Sequence, residues 1–397
     1  MSYLLDNARL PRSSELCRLV IEPDRVTSFP LGSVCEAESC WDLEGKLVLP
    51  AFADLHTHLD KTYSPIDNPE GGLEGAINAF RDYKAKRTPQ ELEKSASLAL
   101  RKAVSQGVTQ LRSHVTASAP EDVETIHVLN DVRNRFSGLI DLQLVAMGRF
   151  GQGYDRHIEA CISAGADLVG GAPALQDEPD VAVGRAVALA KDLNVALDLH
   201  IDEHLDPELC TLAMLCDEVE RQGYYYPITA GHCASLVVLP EYRLGDIITK
   251  VKEIGINIVA LPVCNMVLLG GSTLPYVRAT APVSRLLGDG VNVCLGSDNV
   301  RDPFNPFGGY SALRNLQISN ILERTNSGEV IKDSLSLITD NAYITFDTEL
   351  NHECDLVVVN SNDFLDALCE PPSCLATFKQ GSLVFKSEVA ESWFIEE

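Results

Sequence analysis

Two histidines stand one residue apart, His56 and His58, where the apolar segment 47–55 ends. Side chains i and i+2 of a β-strand point to the same side, so the two imidazoles would project together. Imidazoles in this arrangement can bind one divalent cation. A His-x-His pair on its own is more often two polar residues that open a loop, so the metal hypothesis needs further ligands from elsewhere in the chain.

Later apolar segments supply those further ligands. His200, His232 and Asp298 each stand at or just after the end of such a segment, and Glu203 lies three residues beyond His200. Four of the nine histidines therefore fall where predicted strands end. Together with the first pair, His200 and Asp298 would give three imidazoles and one carboxylate, a set that suits Zn²⁺ or Fe²⁺. Each of these residues alone is more often an ordinary polar group.

The residue types indicate hydrolysis at an electrophilic carbon. A metal site that keeps one position open lowers the pKa of bound water toward about 7. Glu203 is too far along the chain to bind the metal but can carry a proton to a substrate nitrogen. His232 can orient the water or take its proton, and Asp298 can accept the other. This set of groups would add hydroxide to the carbon and expel ammonia or an amine.

From residue 46 onward, short apolar segments alternate with amphipathic helical ones. Continuous apolar runs are typical of parallel strands that are buried on both faces. Eight strand–helix units in about 250 residues predict a (β/α)8 TIM barrel, whose functional side chains sit at the carboxyl ends of the strands. A doubly wound open sheet would show a similar alternation. The predicted strands are 47–55, 108–115, 140–147, 167–172, 195–201, 228–233, 256–263 and 291–295, and predicted helices include 90–105, 181–193, 208–221 and 244–254.

Both ends of the chain read as short strands separated by glycine, proline and serine. They are predicted to pair with each other as a small β-sandwich domain built from residues 1–49 plus 340–397, leaving residues 50–339 as the metal-dependent hydrolase barrel. The terminal strands are predicted at 19–21, 25–27, 46–48, 355–359 and 382–385, with a turn at 379–381.

The composition of the 397-residue chain narrows the classes of partner. The formal net charge of −25 disfavours nucleic acid, because an acidic surface repels phosphates. No apolar run is long enough to span a membrane, and the N-terminus lacks the pattern of a signal peptide. Twelve scattered cysteines predict reduced thiols rather than disulfides. We expect a cytoplasmic protein, a homo-oligomer, whose partner is a small molecule.

With these residues in place, the chain resembles the amidohydrolase superfamily and, within it, the bacterial cytosine deaminases. The resemblance implies a (β/α)8 barrel with a β-sandwich built from both termini. It also implies one metal ion held by His56, His58, His200 and Asp298, with Glu203 and His232 as the proton-transfer pair. The matching motifs are Asn7-Ala8-Arg9-Leu10-Pro11, Leu55-His56-Thr57-His58-Leu59-Asp60, Arg112-Ser113-His114, residues 141–146, His200-Ile201-Asp202-Glu203, Gly231-His232 and Gly296-Ser297-Asp298.

The chain departs from the cytosine deaminases at several positions. The run Gly148-Arg149-Phe150-Gly151 replaces their proline-glutamine-glutamate-glycine run, whose glutamine reads the pyrimidine edge. Asn299 replaces a second aspartate, and Lys61 replaces a small polar residue. Residues 298–302 look more like those of the alkylammelide aminohydrolases, which act on triazine rings. Residues 168–171 contain no lysine that could bridge two metals, which favours a mononuclear site.

Some of these positions lead to candidate substrate contacts, whose orientation the sequence leaves open. Arg112 and the neighbouring His114 either line the pocket or pair with carboxylates in the core. Lys61 and Arg149 either point into the pocket or form salt bridges with nearby carboxylates such as Asp60. The candidate substrate contacts are Lys61, Arg149, Asn299, Arg112 and Phe304.

The sequence thus predicts a metal-dependent enzyme that hydrolytically deaminates a small nitrogen heterocycle, namely cytosine or a close relative. The attack would come from metal-activated hydroxide on the ring carbon that bears the amine. Isoguanine, 5-methylcytosine, creatinine and aminotriazines are alternative substrates of the same chemistry. A binding protein that kept the barrel and lost the activity is the contrasting class. Such a protein should lack at least one of the six site residues, and all six are present.

Overall fold

The structure, a computed structural model, describes residues 1–13, 15–271, 274, 276–346 and 352–387. Its strands form two sheets, one of which curls into a barrel. In chain order the strands are β1 (Tyr3–Arg9), β2 (Leu16–Glu22), β3 (Arg25–Pro30), β4 (Ser39–Asp42), β5 (Leu47–Pro50), β6 (Phe52–Thr57), β7 (Val108–Thr116), β8 (Asp141–Gly148), β9 (Leu168–Gly171), β10 (Ala196–Ile201), β11 (Ile228–His232), β12 (Asn257–Ala260), β13 (Val293–Leu295), β14 (Leu356–Val359), β15 (Cys374–Lys379) and β16 (Ser382–Lys386).

The barrel is built from β6 to β13 in chain order, and all neighbouring strands run parallel. A parallel bridge between Thr57 and Asp298 joins its first and last strands and nearly closes the barrel. The eight predicted barrel strands are confirmed, and the predicted fold class with them. The first apolar segment proves to be two strands, because β5 pairs with β14 outside the barrel before β6 begins.

The second sheet draws its strands from both ends of the chain, as predicted. Its order is β16-β15-β14-β5-β1-β2-β3, and β4 pairs with β1. Side chains of this sheet's own strands form a separate apolar cluster, in which Leu5, Ile21 and Phe378 are fully buried. Strands β1, β4 and β15 were not predicted. The domain boundaries at 49/50 and 339/340 stay a prediction, and residues 347–351 and 388–397 of the predicted β-sandwich domain lie outside the described residues.

Helices cover the outside of the barrel between its strands. The four predicted helices are confirmed as α2, α5, α6 and α7, and a capping box of Thr88 and Glu91 begins α2. No helix in the described ranges is both long and apolar enough to cross a bilayer. The helices are α1 (Gly72–Lys84), α2 (Pro89–Val104), α3 (Asp122–Phe136), α4 (Asp155–Ser163), α5 (Pro179–Leu193), α6 (Thr211–Gln222), α7 (Glu241–Ile254), α8 (Pro262–Leu268), α9 (Val283–Gly288), α10 (Ala312–Glu323), α11 (Gly328–Asp333), α12 (Asp340–Phe346) and α13 (Phe364–Cys369).

Arg112 lies inside the barrel, where its guanidinium is surrounded by acceptors. It donates to Asp198 Oδ2 at 2.8 Å, to Thr229 Oγ1 at 3.1 Å and to Gln143 Oε1 at 2.9 Å. A further bond reaches the backbone carbonyl of Thr345 at 2.8 Å. Of the two roles that the sequence left open, Arg112 therefore has the structural one. Its assignment as a substrate contact is corrected, because these partners occupy the guanidinium within the core.

Replacing Arg112 with methionine should lower the free energy of unfolding by about 3–5 kcal/mol, because Asp198 would be left buried without its cation. The matched control is Arg135→Met, which removes a pair with Glu93 whose side chains are 51% and 43% exposed. That change should cost less than about 1 kcal/mol. Urea denaturation of the three proteins measures both differences, and similar losses for the two variants would contradict the role given to Arg112.

Candidate active site

A cavity of about 920 Å³ opens at the carboxyl ends of the barrel strands. This is where functional side chains of such barrels are found. His58, His200, Glu203 and Asp298, all selected from the sequence, line the cavity. His200 stands on β10 one residue before its end, and Asp298 follows β13. The structure therefore brings the ends of distant strands together around one space.

Four donor atoms converge at the floor of the cavity. His200 Nε2 lies 3.2 Å from both His56 Nε2 and His58 Nε2. Asp298 Oδ1 lies 3.2 Å from His58 Nε2 and 3.8 Å from His56 Nε2. All four side chains are buried. The predicted ligand set thus meets at one point, where each residue directs one nitrogen or oxygen atom toward the others.

The backbone holds Asp298 in an uncommon conformation to reach this point. Its φ of 58° lies in the left-handed region, which costs a non-glycine residue roughly 1–2 kcal/mol. The Asp298 amide donates to His56 O at 2.7 Å, and Thr57 Oγ1 donates to Asp298 O at 2.8 Å. Nearby, Asp54 Oδ1 accepts from the Ser297 amide at 2.9 Å. These bonds tie the end of β13 to β6 and stabilise the strained turn.

The donor set fits a divalent cation. Burial, followed by the neighbouring imidazoles or Lys61, holds the pKa of His56, His58 and His200 well below the usual value, so their rings are neutral. Neutral imidazole is the form that binds metals. A neutral imidazole carries one N–H, so hydrogen bonds between these rings leave some of the converging nitrogen lone pairs unused, and a cation among them would accept those lone pairs. Burial also raises the pKa of Asp298 to about 7, and a cation would supply the charge that stabilises its carboxylate.

Glu203 and His232 lie together beside this set. His232 Nε2 is 3.8 Å from Glu203 Oε2. On the other side of the ring, His232 Nδ1 lies 2.8 Å from Asn265 Oδ1, which accepts the ring proton and leaves Nε2 as the free acceptor. Burial raises the pKa of Glu203 to about 8, so the carboxyl keeps its proton at neutral pH. One group is thus set to give a proton and its neighbour to receive one.

His114 also belongs to this cluster, a role that the sequence left open. Its ring stacks on His56 with centroids 4.0 Å apart, and Asp198 Oδ1 lies 3.4 Å from its Nε2. Ligand atoms of His56, His114 and His200 lie within 4.8 Å of one another, and so do those of His56, His232 and Asp298. The signal in the sequence was a fifth histidine near the end of a barrel strand, β7.

The substrate-contact candidates other than Arg112 line the cavity. Asn299 is buried and donates to Asp302 Oδ2 at 2.7 Å. The amide of Phe304 donates to the same carboxylate at 3.0 Å, so Asp302 fixes both residues. Arg149 is exposed at the cavity wall, where its guanidinium lies 5.2 Å over the Tyr154 ring. Their contact with a substrate stays a proposal.

One wall of the cavity is apolar. Phe304 packs against Phe80 and Ala76 of α1, and Leu73 and Ile77 of the same helix lie against this cluster. Leu73, Ile77, Phe80 and Phe304 all line the cavity. The same cavity is also lined by the imidazoles and carboxylates described above. A flat ring with polar edges would suit a space of this kind, since its face can pack on the apolar wall while its edge meets the imidazole and carboxyl groups.

Gly231 gives His56 the room that it needs. A Cβ atom at this position would lie 2.8 Å from both Nδ1 and Cε1 of the His56 ring. We expect Gly231→Ala to displace the ring and to weaken metal binding by roughly 10–100-fold, the usual loss when a ligand's support is disturbed. Competition with a chelator measures the affinity. Gly138→Ala is the control, because a Cβ atom there meets nothing within 4 Å; equal affinities for both variants would refute the prediction.

Comparison with known proteins agrees with this geometry. Residues 67–342 match the amidohydrolase family. The chain belongs to this family. The predicted resemblance is confirmed, and a histidine-rich group able to hold a metal stands where an amidohydrolase needs it.

Relatives of this amidohydrolase act on nitrogen heterocycles. A pterin deaminase of Rhizobium rhizogenes is 30% identical over 376 residues, which cover 90% of this chain and 85% of that protein. The N-isopropylammelide isopropyl amidohydrolase of Pseudomonas sp. is 25% identical over 97% of this chain and 98% of its own length. The structure of the Klebsiella pneumoniae 5-methylcytosine deaminase with phosphonocytosine superimposes with a TM-score of 0.90 at 25% identity, covering 99% of this chain and 100% of that one.

Proposed function

We propose that this amidohydrolase hydrolytically deaminates a small nitrogen heterocycle that carries an exocyclic amine, such as cytosine or a close relative. The observation that carries the proposal is the convergence of four metal-binding atoms at 3.2–3.8 Å beside Glu203 and His232 at the floor of one cavity. The deaminases and the ammelide amidohydrolase among the similar proteins support the same chemistry.

In this proposal His56, His58, His200 and Asp298 hold one divalent metal ion, Zn²⁺ or Fe²⁺. When bound, such an ion acidifies water and polarises the atoms that it touches. Neutral imidazoles and a single carboxylate are the ligands expected for either metal. His114, which faces the same point, orients the ring of His56 through the contact between their planes.

The proton transfers follow from the states of the neighbouring residues. The free Nε2 of His232 accepts a proton from the attacking water. The protonated carboxyl of Glu203 gives its proton to the ring nitrogen next to the amine-bearing carbon, which makes that carbon more electrophilic. Asp298 receives the remaining proton of the water and passes it to the amine. The proton held by His232 then returns to Glu203, whose Oε2 lies 3.8 Å away, and both groups regain their starting states. The new carbon–oxygen bond replaces the carbon–nitrogen bond, and ammonia leaves.

A second class, a barrel that binds a ligand without turning it over, is less well supported. All six site residues are retained, and Glu203 has both a raised pKa and a histidine neighbour. Perturbed acids of this kind are typical of catalytic sites. A cavity of about 920 Å³ also lies within the range of small-molecule sites and would admit a single or a fused ring.

Ammonia release tests the proposed function. The metal-loaded protein would be offered cytosine, 5-methylcytosine, isoguanine, creatinine, pterin and aminotriazines, before and after treatment with a chelator. The proposal expects release from at least one ring, loss on chelation and recovery on return of the metal. Release that is unaffected by complete metal removal would refute the metal-dependent mechanism, and saturable binding without release across the panel would favour the non-catalytic class.

A further inference from the structure

We propose that Lys61 selects the substrate. Its ammonium donates a hydrogen bond to an oxo group or a similar acceptor of the bound ring, so that aminated rings with this acceptor are taken and rings without it are rejected. The inference rests on the proposed function and deepens it, because it names the substrate class: amino-oxo heterocycles rather than simple aminated rings.

The position of Lys61 is unusual for a lysine. Only 5% of the residue is exposed, although lysines are rarely buried without a function or a partner. It lines the same cavity as His58, His200 and Glu203. Its Nζ lies 5.2 Å from the centroid of the Phe80 ring, on the apolar wall. The ammonium therefore stands between the wall on which a ring would pack and the groups that would react with it.

Asp60 fixes the ammonium from one side. Lys61 Nζ lies 3.2 Å from Asp60 Oδ1 and 3.3 Å from Oδ2. The Asp60 carboxylate is itself held, because its Oδ2 accepts from the amide of Thr116 at 3.1 Å and from the Thr116 hydroxyl at 2.8 Å. This arrangement orients Lys61 as a rigid donor. The ion pair of Lys61 with Asp60 is the salt bridge that was predicted as an alternative to a contact with the substrate. The same Lys61 side chain nevertheless also lines the cavity.

The ammonium still has donor capacity to spare. An ammonium group has three N–H donors, and Asp60 is its one ionic partner among the residues that the structure describes. His58 Nδ1 also lies 3.2 Å from Nζ. When His58 turns Nε2 toward a cation, its ring proton is on Nδ1, which then cannot accept from Lys61. The His58 ring has its own hydrogen bond to the backbone of His114. An acceptor from the cavity is therefore needed to complete the bonding of Lys61.

The substrate's oxo group that would accept the hydrogen bond from Lys61 must lie close to the atoms of the ring that react. Lys61 and Glu203 line the same cavity, and Lys61 Nζ lies 3.2 Å from Nδ1 of His58, so the ammonium stands beside the groups that would react with the ring. The other cationic side chains of the cavity are placed differently. Arg149 lies over a tyrosine at the exposed wall, Arg81 is an exposed residue of α1, and Lys84 is paired with Asp122. Lys61 is thus the cation best placed to bind an oxygen next to the protonated ring nitrogen.

Matched pairs of rings test this inference. Cytosine is compared with 4-aminopyrimidine and pterin with 2-aminopteridine, since each pair differs by one oxo group. A site built around a donor should prefer the oxo ring by roughly 10⁴-fold in kcat/KM.

We expect Lys61→Met to remove most of this preference by lowering kcat/KM for the oxo ring and leaving kcat/KM for the ring without the oxo group unchanged. The metal content of this variant should stay at the parent value. Lys61→Arg, which keeps charge and donors, should retain part of the preference. Lys84→Met, a cavity lysine paired elsewhere, should leave the ratio unchanged.

Equilibrium binding of the same pairs to metal-loaded protein, measured by calorimetry, separates this inference from the proposed function. Discrimination that Lys61→Met abolishes, without turnover of any ring, would support the inference and defeat the proposed function. Turnover with equal ratios in parent and Lys61→Met would overturn the inference alone. Loss of metal in Lys61→Met would also overturn it, because Lys61 would then act by supporting His58. Absence of both binding and turnover for all four rings would overturn the inference, and the proposed function would fall with it only if the remaining rings of the ammonia-release panel also failed.

Discussion

Replacing Glu203 with glutamine is expected to lower kcat by about 10²–10⁴-fold while the protein keeps its metal. The amide has nearly the shape of the carboxyl and can still donate a hydrogen bond, but it cannot give up a proton to the ring nitrogen. In the parent, burial keeps this carboxyl protonated at neutral pH, with a pKa of about 8. Steady-state kinetics on the best substrate, combined with metal analysis of the same samples, measures both quantities.

Glu208→Gln is the matched control, because Glu208 is exposed and lies only five positions further along the chain. It should leave kcat at the parent value. A Glu203→Gln variant that turns over at nearly the parent rate would show that another group carries the proton. If that variant lost its metal, Glu203 would have to be counted among the groups that support the ligands.

Replacing His56 with alanine should remove metal and activity together. Its Nε2 lies 3.2 Å from that of His200, and its ring is fully buried. Alanine removes one of the four proposed ligands, and the neighbouring His114 already has Asp198 Oδ1 3.4 Å from its Nε2. We expect less than a tenth of the parent metal content after gel filtration, since the loss should exceed the roughly 10–100-fold cost of disturbing a supporting residue. Ammonia release should fall to the level of the chelated parent.

The control for this experiment is His127→Ala, which removes an exposed histidine on α3. That variant should bind metal as the parent does. Full metal occupancy in His56→Ala would contradict the ligand set. Retained metal with lost activity would instead suggest that His114, which faces the same point, replaces His56 as a ligand.

The barrel could be predicted from the sequence because its strands are locally encoded. Strands buried on both faces appear as uninterrupted apolar runs, and the residues that follow them must then lie at one rim of the barrel. For the same reason His200 and Asp298 could be predicted to lie close to His56 and His58. This holds although 142 residues separate His58 from His200 along the chain. Strands β1, β4 and β15 were missed, since polar residues interrupt their apolar pattern and their pairing with other strands becomes visible only in the folded sheet.

The orientation of individual polar side chains could not be predicted. Arg112 alternates with apolar neighbours on β7, a pattern equally suited to the core and to a pocket. Its partner Asp198 lies 86 residues away, so only the folded barrel shows that the two form a pair. For Lys61 the two predicted alternatives, a salt bridge and a position in the pocket, occur together. Asp60 pairs with its ammonium, and the side chain lines the cavity.

The apolar wall of the cavity could not be predicted from the sequence either, except for Phe304. It is formed by α1, a helix between the first two barrel strands, and Phe80 reaches Phe304 only in the folded protein. An amphipathic helix shows which of its faces is apolar. It does not show whether that face covers the barrel or borders a cavity.

Metal titration of the apoprotein tests the central claim most directly, that four residues hold one divalent ion on which deamination depends. Zn²⁺ or Fe²⁺ would be added in known amounts to chelator-treated protein, and ammonia release from the preferred ring would be followed together with bound metal. We predict that activity rises in proportion to bound metal and reaches its plateau at one equivalent per chain. Full activity in the metal-free protein, or a plateau that requires two equivalents, would contradict the account.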